Sequence, residues 1–305
     1  TGPLHVGHCR GAVLGDVLSN LLKFNGNSVI KEYYVNDYGE QIKHFVNSVY
    51  YRILEIKYNK KFPADNDLYP GDYIVDIAKQ IIKDKKIKNF NDLNKIYKNL
   101  SSASLKYSIN LIRKNLKSIG ITHDEFIYET NIVNKKLVNK TINKLQKKKY
   151  AYYGVLEAPK GEISKSWQPR NQLLFNSTRF GDDVDRALMK IDGSWTYFAN
   201  DIAYHSHKVD RKFEKLINVL GADHAGYIKR ITAATKAISN SKTELLCKIT
   251  QLVKLLKNGK PYKMSKRKGD YITIEDLIDE VGKDSIRFMM LNKTCGVILC
   301  FIFEK

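Results

Sequence analysis

Strand–helix units at both ends of the chain, with a lysine-rich helical block between them, constrain the fold more than any other feature. Apolar spacing predicts a helix, a strand and a second helix over 7–24, 28–35 and 40–57. A strand over 215–220 and a helix over 225–238 repeat this alternation in the second half. The alternation predicts an α/β fold with a parallel sheet, whose ligand groups lie at the carboxyl ends of the strands.

The block between the two ends is predicted to be mostly helical and basic, and it separates two half-folds. We therefore expect an α/β fold that is split by a mostly helical connective insertion. Its predicted elements are helices over 72–85, 93–119 and 133–149 and a strand over 125–129. The predicted boundaries are 1–57 for the first half, 58–149 for the insertion, 150–291 for the second half and 292–305 for a tail.

The second half is predicted to contain a β-hairpin. Asp192-Gly193 is a strong two-residue hairpin signal, and strand-like segments over 186–191 and 194–198 flank it. A helix over 200–213 is expected to follow this hairpin. The other predicted elements of this half are strands over 150–156 and 173–176, an apolar segment over 245–256, and helices over 274–281 and 284–291.

The chain carries a formal net charge of +20 in 305 residues. Such an excess favours a polyanionic partner, usually nucleic acid, although a lysine- and asparagine-rich surface explains the charge equally well. No run approaches 18 apolar residues, which excludes an ordinary transmembrane helix. The amino terminus lacks the pattern of a signal peptide, and the four cysteines lack CxxC spacing. We therefore expect a reducing, cytoplasmic compartment and no membrane association.

A histidine pair, His5-Val6-Gly7-His8, stands where the first helix begins. Two imidazoles three residues apart face the same way on a helical turn, and a helix N-terminus attracts anions. Gly7 removes a side chain that would keep a phosphate or a base at a distance. The motif suits a nucleotide whose phosphoryl oxygens gain charge during transfer. The alternatives are a surface pair of histidines and an incomplete metal site.

A cationic segment near the end of the chain reads Lys263-Met264-Ser265-Lys266-Arg267. Two lysines three residues apart can clamp adjacent phosphates, and a glycine at position 269 allows such a segment to fold over them. A solvated basic loop, or a general nucleic-acid patch, is an equally good interpretation of this segment taken alone.

Two other clusters receive structural interpretations. His205-Ser206-His207 has no Cys or His cluster beside it, and a helix would splay its two rings apart, so metal binding there is not expected. Lys147-Lys148-Lys149 is interpreted as a solvated helix end, where cations complement the helix dipole.

The histidine pair and the cationic segment are far more specific together than apart. Separated by about 255 residues, they resemble the two signatures of class I aminoacyl-tRNA synthetases, which have a Rossmann-like nucleotide-binding fold with a parallel sheet. Other segments resemble arginyl-tRNA synthetases in particular, so the resemblance covers nearly the whole chain and is weakest between 58 and 149. These segments are Thr1–Arg10, Tyr34–Gly39 with Gln41, Gly181–Arg186, Thr196–Asp201, Gly221–Gly226 and Gln251–Gly269.

The resemblance implies a site for arginine, whose planar guanidinium pairs with carboxylates and stacks on aromatic rings. Tyr197 and Asp201, which share a face if they lie on one helix, are implied to hold the guanidinium, with Glu129 as a second carboxylate. Taken alone, Tyr197 reads as a buried strand aromatic and Asp201 as a helix-start charge. The turn residues implied beside the amino-acid pocket are Asn36, Asp37 and Gln41, where plain turn chemistry is the alternative.

The resemblance also implies an ATP site. Gly221 would allow close backbone approach and Asp223 would accept from the ribose or the substrate. The implied ATP-binding residues are Gly7, Gly221, Asp223, His224, Met264 and Ser265. The implied catalytic residues, which stabilise charge on the migrating phosphates, are His5, His8, Lys263 and Lys266.

The implied activity is that of a class I arginine–tRNA ligase, which forms arginyl-adenylate from L-arginine and ATP and transfers arginine to the 3′ end of tRNA(Arg). ATP with Mg²⁺, L-arginine and tRNA(Arg) are the implied ligands, and a monomer is expected. The alternatives are another class I synthetase, a tRNA-binding module without catalysis, and a small-molecule nucleotidylyltransferase. The lysine-rich insertion argues against the last of these.

The family has a strand just ahead of the first histidine motif, an amino-terminal tRNA-contacting domain and a helical anticodon-binding domain. The chain starts almost on that motif and ends without a matching acidic pattern over 292–305. We therefore expect a catalytic-domain fragment, whose sheet would be left with exposed edges and whose fold could survive without its activity.

Overall fold

A computed structural model describes residues 2–133, 135–156, 169–257, 260–262, 272–294 and 296–303. The chain divides into two compact units, the first made of Thr1–Glu129 and Thr250–Lys305 and the second of Thr130–Ile249. In chain order, the described elements are α1 (Val6–Phe24), β1 (Glu32–Val35), α2 (Glu40–Tyr58), α3 (Asp72–Lys83), α4 (Leu93–Ser118), β2 (Glu125–Tyr128), α5 (Glu129–Ile132), α6 (Lys135–Lys147), β3 (Ala151–Val155), β4 (Asn171–Phe175), β5 (Arg186–Ala187), α7 (Tyr197–Asp210), β6 (Lys215–Gly221), α8 (Ile228–Ser239), β7 (Glu244–Thr250), β8 (Val253–Lys257), β9 (Lys260–Tyr262), α9 (Ile274–Val281), α10 (Lys283–Leu291) and β10 (Leu299–Phe303).

The first unit is built around α1, whose apolar face packs against α9 and α10. Val6, Cys9 and Val13 of this helix are fully buried in the same cluster as Ile274 and Ile286. Burial of such side chains is the main favourable term in the packing of these helices. The amino-terminal helix is therefore held by the carboxy-terminal part of the chain.

Two polar side chains of α1 are buried in this unit and have polar partners there. Arg10 is 1% exposed and donates to backbone carbonyl oxygens that include those of Val297 (2.5 Å) and Thr294 (2.9 Å). Asp16 accepts from Lys31 Nζ (2.8 Å) and from Arg287 Nη2 (2.7 Å). Because buried charges are tolerated only with partners, Arg10 fixes α1 to the segment after α10, and Asp16 fixes it to α10 and to Lys31, the residue before β1.

Parallel strand pairs occur in the first unit. β1 pairs with β2, with Val35 opposite Tyr128 as the last pair, and β8 pairs in parallel with β10 and antiparallel with β9. The helices α2, α3 and α4 form a second apolar cluster with buried side chains such as Phe45, Ile74 and Leu100. This helical cluster joins α2, which the sequence assigns to the first half-fold, to α3 and α4, which the sequence assigns to the insertion.

The second unit contains the antiparallel sheet β3–β4–β5 and the paired strands β6 and β7. Phe175, at the end of β4, is fully buried and stacks on Phe180 with ring centroids 5.9 Å apart. The helix α7 packs against α6 and α8. Ala199, Ile202 and Ala203 of this helix are fully buried.

No helix in the described ranges is both long enough and apolar enough to span a bilayer.

Most predicted helices are confirmed, and α9 has the predicted bounds of 274–281. The predicted strand over 28–35 forms only from Glu32, and the apolar segment over 245–256 is two strands, β7 and β8. The helix predicted from 225 begins at Ile228, after a 3₁₀ turn over Ala222–Tyr227.

A hairpin turn forms at Asp192-Gly193, but its loop has three residues, since the Lys190 N–H donates to the Ser194 carbonyl at 2.8 Å. Both predicted strands are too long, because β5 ends at Ala187. Met189 and Trp195 form an antiparallel bridge, and Gly193 has a φ of 75°, which glycine adopts without strain. Thr196 then caps α7, because its hydroxyl accepts from the N–H of Ala199 at 3.2 Å. The prediction of a strand through 198 is therefore wrong, since a cap outcompetes strand propensity at this point.

The two compact units divide the chain at 129/130 and 249/250, not at the predicted 57/58 and 149/150. The predicted division into two half-folds, an insertion and a tail concerns the domains of the family, and it stays a prediction.

Candidate active site

The histidine motif forms the amino-terminal cap of α1. His5 is the N-cap residue, and the Gly7 N–H donates to its Nδ1 at 3.1 Å. In return, the His5 N–H donates to His8 Nδ1 at 3.2 Å. The two rings stack with centroids 3.8 Å apart. The pair is thus locked to the end of a 19-residue helix, whose dipole favours an anion.

This capping arrangement determines which ring nitrogens carry protons. A ring nitrogen that accepts a backbone N–H carries no proton of its own, so Nδ1 is bare in both His5 and His8. Both rings are therefore neutral Nε2–H tautomers in this geometry. Each can act as a hydrogen-bond donor through Nε2, while a doubly protonated ring would break a cap bond.

Gly7 lies against the His5 ring, a contact that the sequence does not reveal. A Cβ added at Gly7 would lie 2.9 Å from His5 Cε1 and 3.0 Å from His5 Nδ1, which is closer than real Cβ contacts. The expectation of space for a phosphate or a base stays a prediction, whereas the structure shows that glycine leaves room for the His5 ring.

Three predicted residues meet at the carboxyl edge of the β1–β2 pair. Asn36 and Asp37 follow the last residue of β1, and Glu129 follows the last residue of β2. When the Asn36 amide is oriented with its nitrogen toward Glu129, that nitrogen donates to Glu129 Oε2 at 3.3 Å. Glu129 and Asp37 are buried. Gln41 is exposed in the first turn of α2. The carboxyl ends of parallel strands therefore carry polar groups, as predicted for a ligand site.

The predicted guanidinium-binding pair lies at the start of α7, in the second unit. Tyr197 is the first residue of this helix and is 72% exposed, with Lys190 Nζ 5.3 Å from its ring centroid. The expectation of a buried strand aromatic is therefore wrong for Tyr197. Asp201, one turn later, accepts a hydrogen bond from Tyr227 Oη through Oδ2. Burial raises the pKa of the Asp201 carboxyl, and the Tyr227 bond opposes that rise.

His205 is a buried residue of the same helix, and both of its ring nitrogens have protein partners. Its Nδ1 lies 2.8 Å from the Asp201 carbonyl oxygen, and its Nε2 lies 3.0 Å from Asn218 Nδ2. The carbonyl can only accept and the amide nitrogen can only donate, so the proton is on Nδ1. Complete burial lowers the pKa of His205 to about 3, which keeps the ring neutral.

The predicted adenosine-side residues form a tight turn after β6. A Cβ on Gly221 would lie 2.5 Å from Asp223 Oδ1, so glycine makes room for the Asp223 side chain. His224 and Asp223 are exposed and pair at 3.5 Å. Tyr227 ends this turn and bonds Asp201. The second unit thus brings the predicted adenosine-side and guanidinium-side segments together.

The remaining predicted residues, Lys263, Met264, Ser265 and Lys266, lie outside the described residues. The described residues on either side of them are placed in the first unit. Tyr262 ends β9, which pairs with β8. Thr273 forms an antiparallel bridge with His5, and the Ile274 N–H donates to the Leu4 carbonyl at 3.2 Å. The chain just after the cationic segment therefore lies beside the histidine motif.

Two polar residues that organise these sites, Tyr227 and Asn115, are not among the residues predicted from the sequence. Tyr227 directly follows Gly221–Gly226, one of the segments that resemble the family, and this position is a signal that could have identified it. Asn115 contacts residues more than 100 positions away, and no local pattern indicates it. Conversely, Asp182 pairs with Arg186 at 2.7 Å and Asp183 with Lys229 at 2.8 Å, so these family-like acids have structural roles.

The chain is similar to known proteins in both sequence and fold. A protein from Pelagibacter ubique named arginine–tRNA ligase is 60% identical over the whole chain, which covers 53% of that relative. A crystal structure from Campylobacter jejuni, described as an arginyl-tRNA synthetase, is 34% identical with a TM-score of 0.82, over 99% of this chain and 62% of that one. The arginyl-tRNA synthetase of Thermus thermophilus, at 15% identity and a TM-score of 0.64, shares the fold over 99% of this chain and 58% of that one.

The chain spans about half the length of the curated relatives that it matches. The model of the family described as tRNA synthetases class I (R), catalytic domain, matches residues 1–299. The predicted Rossmann-like α/β class and the resemblance to arginyl-tRNA synthetases are therefore confirmed. A match of this extent establishes that the chain belongs to the family of class I tRNA synthetases (R), catalytic domain.

Proposed function

We propose that the chain is the catalytic part of an arginine–tRNA ligase, which activates L-arginine with ATP and transfers it to tRNA(Arg). The observation that carries this proposal is the bridge between His5 and Thr273. This bridge brings the histidine motif beside the residues that follow the cationic segment. The histidine motif and the cationic segment are the two signatures proposed to bind a nucleotide triphosphate. The relatives named arginine–tRNA ligase support the choice of amino acid.

In the proposed activation step, a carboxylate oxygen of arginine attacks the α-phosphorus of ATP in line. A bond forms between that oxygen and phosphorus, the bond from the α-phosphorus to the bridging oxygen breaks, and pyrophosphate leaves. His5 and His8 donate from Nε2 to phosphoryl oxygens, and Lys263 and Lys266 add positive charge. No side chain forms a covalent bond, so positioning and electrostatic stabilisation supply the rate.

In the proposed transfer step, the 2′-hydroxyl of the terminal adenosine of tRNA attacks the arginyl carbonyl carbon. The new ester forms as the bond to the phosphate oxygen breaks, AMP leaves, and the hydroxyl proton is released. By analogy with the family, activation itself requires bound tRNA. The net charge of +20 supports binding of such a polyanion.

Arginine specificity is assigned to Asp201, Tyr197 and Glu129. The carboxylate of Asp201 has Oδ2 bonded to Tyr227, and a guanidinium would take the remaining oxygen in a charge-assisted bond. Tyr197 is exposed at the start of the same helix, where its face is accessible to a planar cation. Asn36, Asp37 and Gln41 are assigned to the amino-acid side, and Gly221, Asp223 and His224 to the adenosine.

Magnesium is proposed to accompany the phosphates of ATP. Across the described residues, no group of three or more His, Cys, Asp and Glu side chains could hold a metal ion. We therefore assign no protein ligand from this part of the chain to Mg²⁺ and derive no step through it. A monomeric, cytoplasmic protein is part of the same proposal.

The test is ATP–pyrophosphate exchange with tRNA(Arg) present, run with arginine, lysine and methionine in parallel. Exchange that requires arginine supports the proposal, and exchange driven by another amino acid replaces it with another class I synthetase. His8→Ala and Lys266→Ala should each lower the rate by about 10²–10³-fold, as for the loss of one transition-state donor. A loss below threefold in both variants contradicts the catalytic assignments.

Binding measurements separate a catalytic domain from a tRNA-binding module. A non-hydrolysable arginyl-adenylate analogue should bind the 305-residue chain and be displaced by ATP. Salt-dependent tRNA binding without binding of this analogue would identify the chain as a module without catalysis.

A further inference from the structure

A buried asparagine in the long helix α4 joins two segments that flank the proposed phosphate site. Asn115 is fully buried. Its Oδ1 accepts from the Leu4 N–H at 3.0 Å, and its Nδ2 donates to Glu275 Oε1 at 2.5 Å. A buried amide with both ends bonded is costly to disturb, because any unpaired group would keep its desolvation penalty.

The partners of Asn115 determine the orientation of its amide. The Leu4 N–H is a donor and therefore needs the amide oxygen, while the Glu275 carboxylate accepts and therefore faces the amide nitrogen. A residue with the same shape but different polarity cannot serve both partners. The site consequently requires one acceptor and one donor, which Asn supplies and Leu or Asp does not.

One partner directly precedes a residue assigned to the phosphates, and the other lies nine residues after one in the sequence. Leu4 directly precedes His5, the N-cap of α1. Glu275 lies in the first turn of α9, which begins shortly after the segment that contains Lys263 and Lys266. The Ile274 N–H also donates to the Leu4 carbonyl at 3.2 Å. Both backbone groups of Leu4 are therefore used in this junction.

A second side chain of α4 provides an internal comparison. Ser108, also fully buried, accepts from the Gly2 N–H at 3.0 Å. Ser108 and Asn115 are seven residues apart, which places them on the same face of α4 two turns apart. Ser108 thus holds the same amino-terminal segment, and its bond to Gly2 does not involve α9.

We propose that Asn115 is a positioning residue that sets the register between the histidine motif and the residues following the cationic segment. The role in ATP binding rests on the proposed function, whereas the link between Leu4 and α9 does not. Loss of the amide would let the start of α1 and the start of α9 shift apart. Hydrogen-bond donors on the two sides of the triphosphate could then no longer reach its oxygens at the same time, since such sites depend on placement within about 0.5 Å.

The closing experiment compares four variants of the full 305-residue chain. Asn115→Ala removes both bonds. Glu275→Ala removes the α9 bond and leaves the buried amide in place, so it guards against a variant that fails to fold. Glu275→Gln keeps an acceptor oxygen for Asn115 and is the conservative rescue. Ser108→Ala is the matched control, because it removes a buried bond to the same segment without touching α9.

Two readouts are measured for each variant. Hydrogen exchange of peptides covering 2–8 and 272–278 reports the junction, and equilibrium dialysis gives Kd for Mg-ATP and for L-arginine. Asn115→Ala and Glu275→Ala should speed exchange over 272–278 and raise the Kd for ATP about tenfold, which equals about 1.4 kcal/mol. The Kd for arginine should change by less than about twofold, and Glu275→Gln should resemble the wild type.

Each outcome decides the proposal. Unchanged exchange over 272–278 in Asn115→Ala and Glu275→Ala, or an equal effect from Ser108→Ala, overturns the link to α9. Faster exchange with an unchanged ATP affinity overturns the positioning role, and so does failure of Glu275→Gln to restore affinity. If the wild type binds no ATP, the proposed function and the positioning role fall together, while the exchange data still decide the link to α9.

Discussion

Replacing His205 with Gln should remove part of the acid sensitivity of this protein. The His205 ring is completely buried, and burial together with the nearby Lys208 charge holds its pKa at about 3, against an ordinary value of 6.5. In the unfolded chain the ring takes up a proton near pH 6.5. The contribution of the neutral His205 ring to the free energy of unfolding is therefore fully present above pH 6.5. It is lost as the pH falls toward 3, because the unfolded state binds the additional proton.

The expected magnitude follows from one proton and the pH difference. At pH 5.0, which is 1.5 units below the unfolded pKa, the loss is about 2 kcal/mol at 1.36 kcal/mol per unit. The value is insensitive to the folded pKa, which lies well below pH 5. Gln can still accept from Asn218 Nδ2 but loses the bond to the Asp201 carbonyl, so the variant should start about 1 kcal/mol less stable at pH 7.5.

Urea unfolding followed by circular dichroism at pH 7.5, 6.5, 5.5 and 5.0 measures this difference. The wild type should lose about 2 kcal/mol more than His205→Gln between pH 7.5 and 5.0, because all other groups titrate alike in both proteins. His224→Gln is the matched control, since its ring is about half exposed. Parallel pH profiles for the wild type and His205→Gln would refute the assignment of a buried neutral ring.

Three further substitutions test the site and the packing around it. Gly7→Ala should lower the rate of arginyl-adenylate formation about 10²-fold in an exchange assay, because the added Cβ displaces the His5 ring that it would approach to 2.9 Å; an unchanged rate would contradict this. Asp16→Asn should lower the free energy of unfolding by about 3 kcal/mol in urea at pH 7, because two partly buried cations lose their shared, buried carboxylate; a loss below 1 kcal/mol would show that water screens them. Asp201→Asn should weaken arginine binding about 10²-fold by calorimetry and leave ATP binding within twofold, since Tyr227 still has an oxygen acceptor; equal losses for both ligands would indicate a collapsed site.

The elements that could be predicted from the sequence are those determined by local signals. The helix α1 carries its apolar residues at helical spacing and ends before Gly26, which has a φ of 81°. The helix α9 begins with a capping box in which Thr273 and Asp276 exchange hydrogen bonds. In both cases the pattern, the cap and the packing agree, so the predicted bounds are close to the observed ones.

The predictions fail where two local signals compete, or where a residue's role depends on contacts with residues far away in the sequence. Thr196 has good strand propensity, yet its hydroxyl caps α7 and ends the predicted strand. Asn115 meets Leu4 and Glu275 across 111 and 160 residues of sequence. Nothing in its neighbourhood distinguishes it from a solvated helix residue, because its role depends on which segments the fold brings beside α4.

The tautomers of the histidine motif bear on how the proposed site balances charge. His5 and His8 each accept a backbone N–H through Nδ1, so protonating either ring fully would break a cap bond of α1 and cost about 1 kcal/mol. In the capped geometry the pair supplies directional donors without net charge. Positive charge for the triphosphate must then come from the N-terminus of α1 and from lysines such as those of the cationic segment. Lysine loss should therefore weaken ATP binding in a salt-dependent way, whereas loss of a histidine should lower the rate with little change in salt dependence.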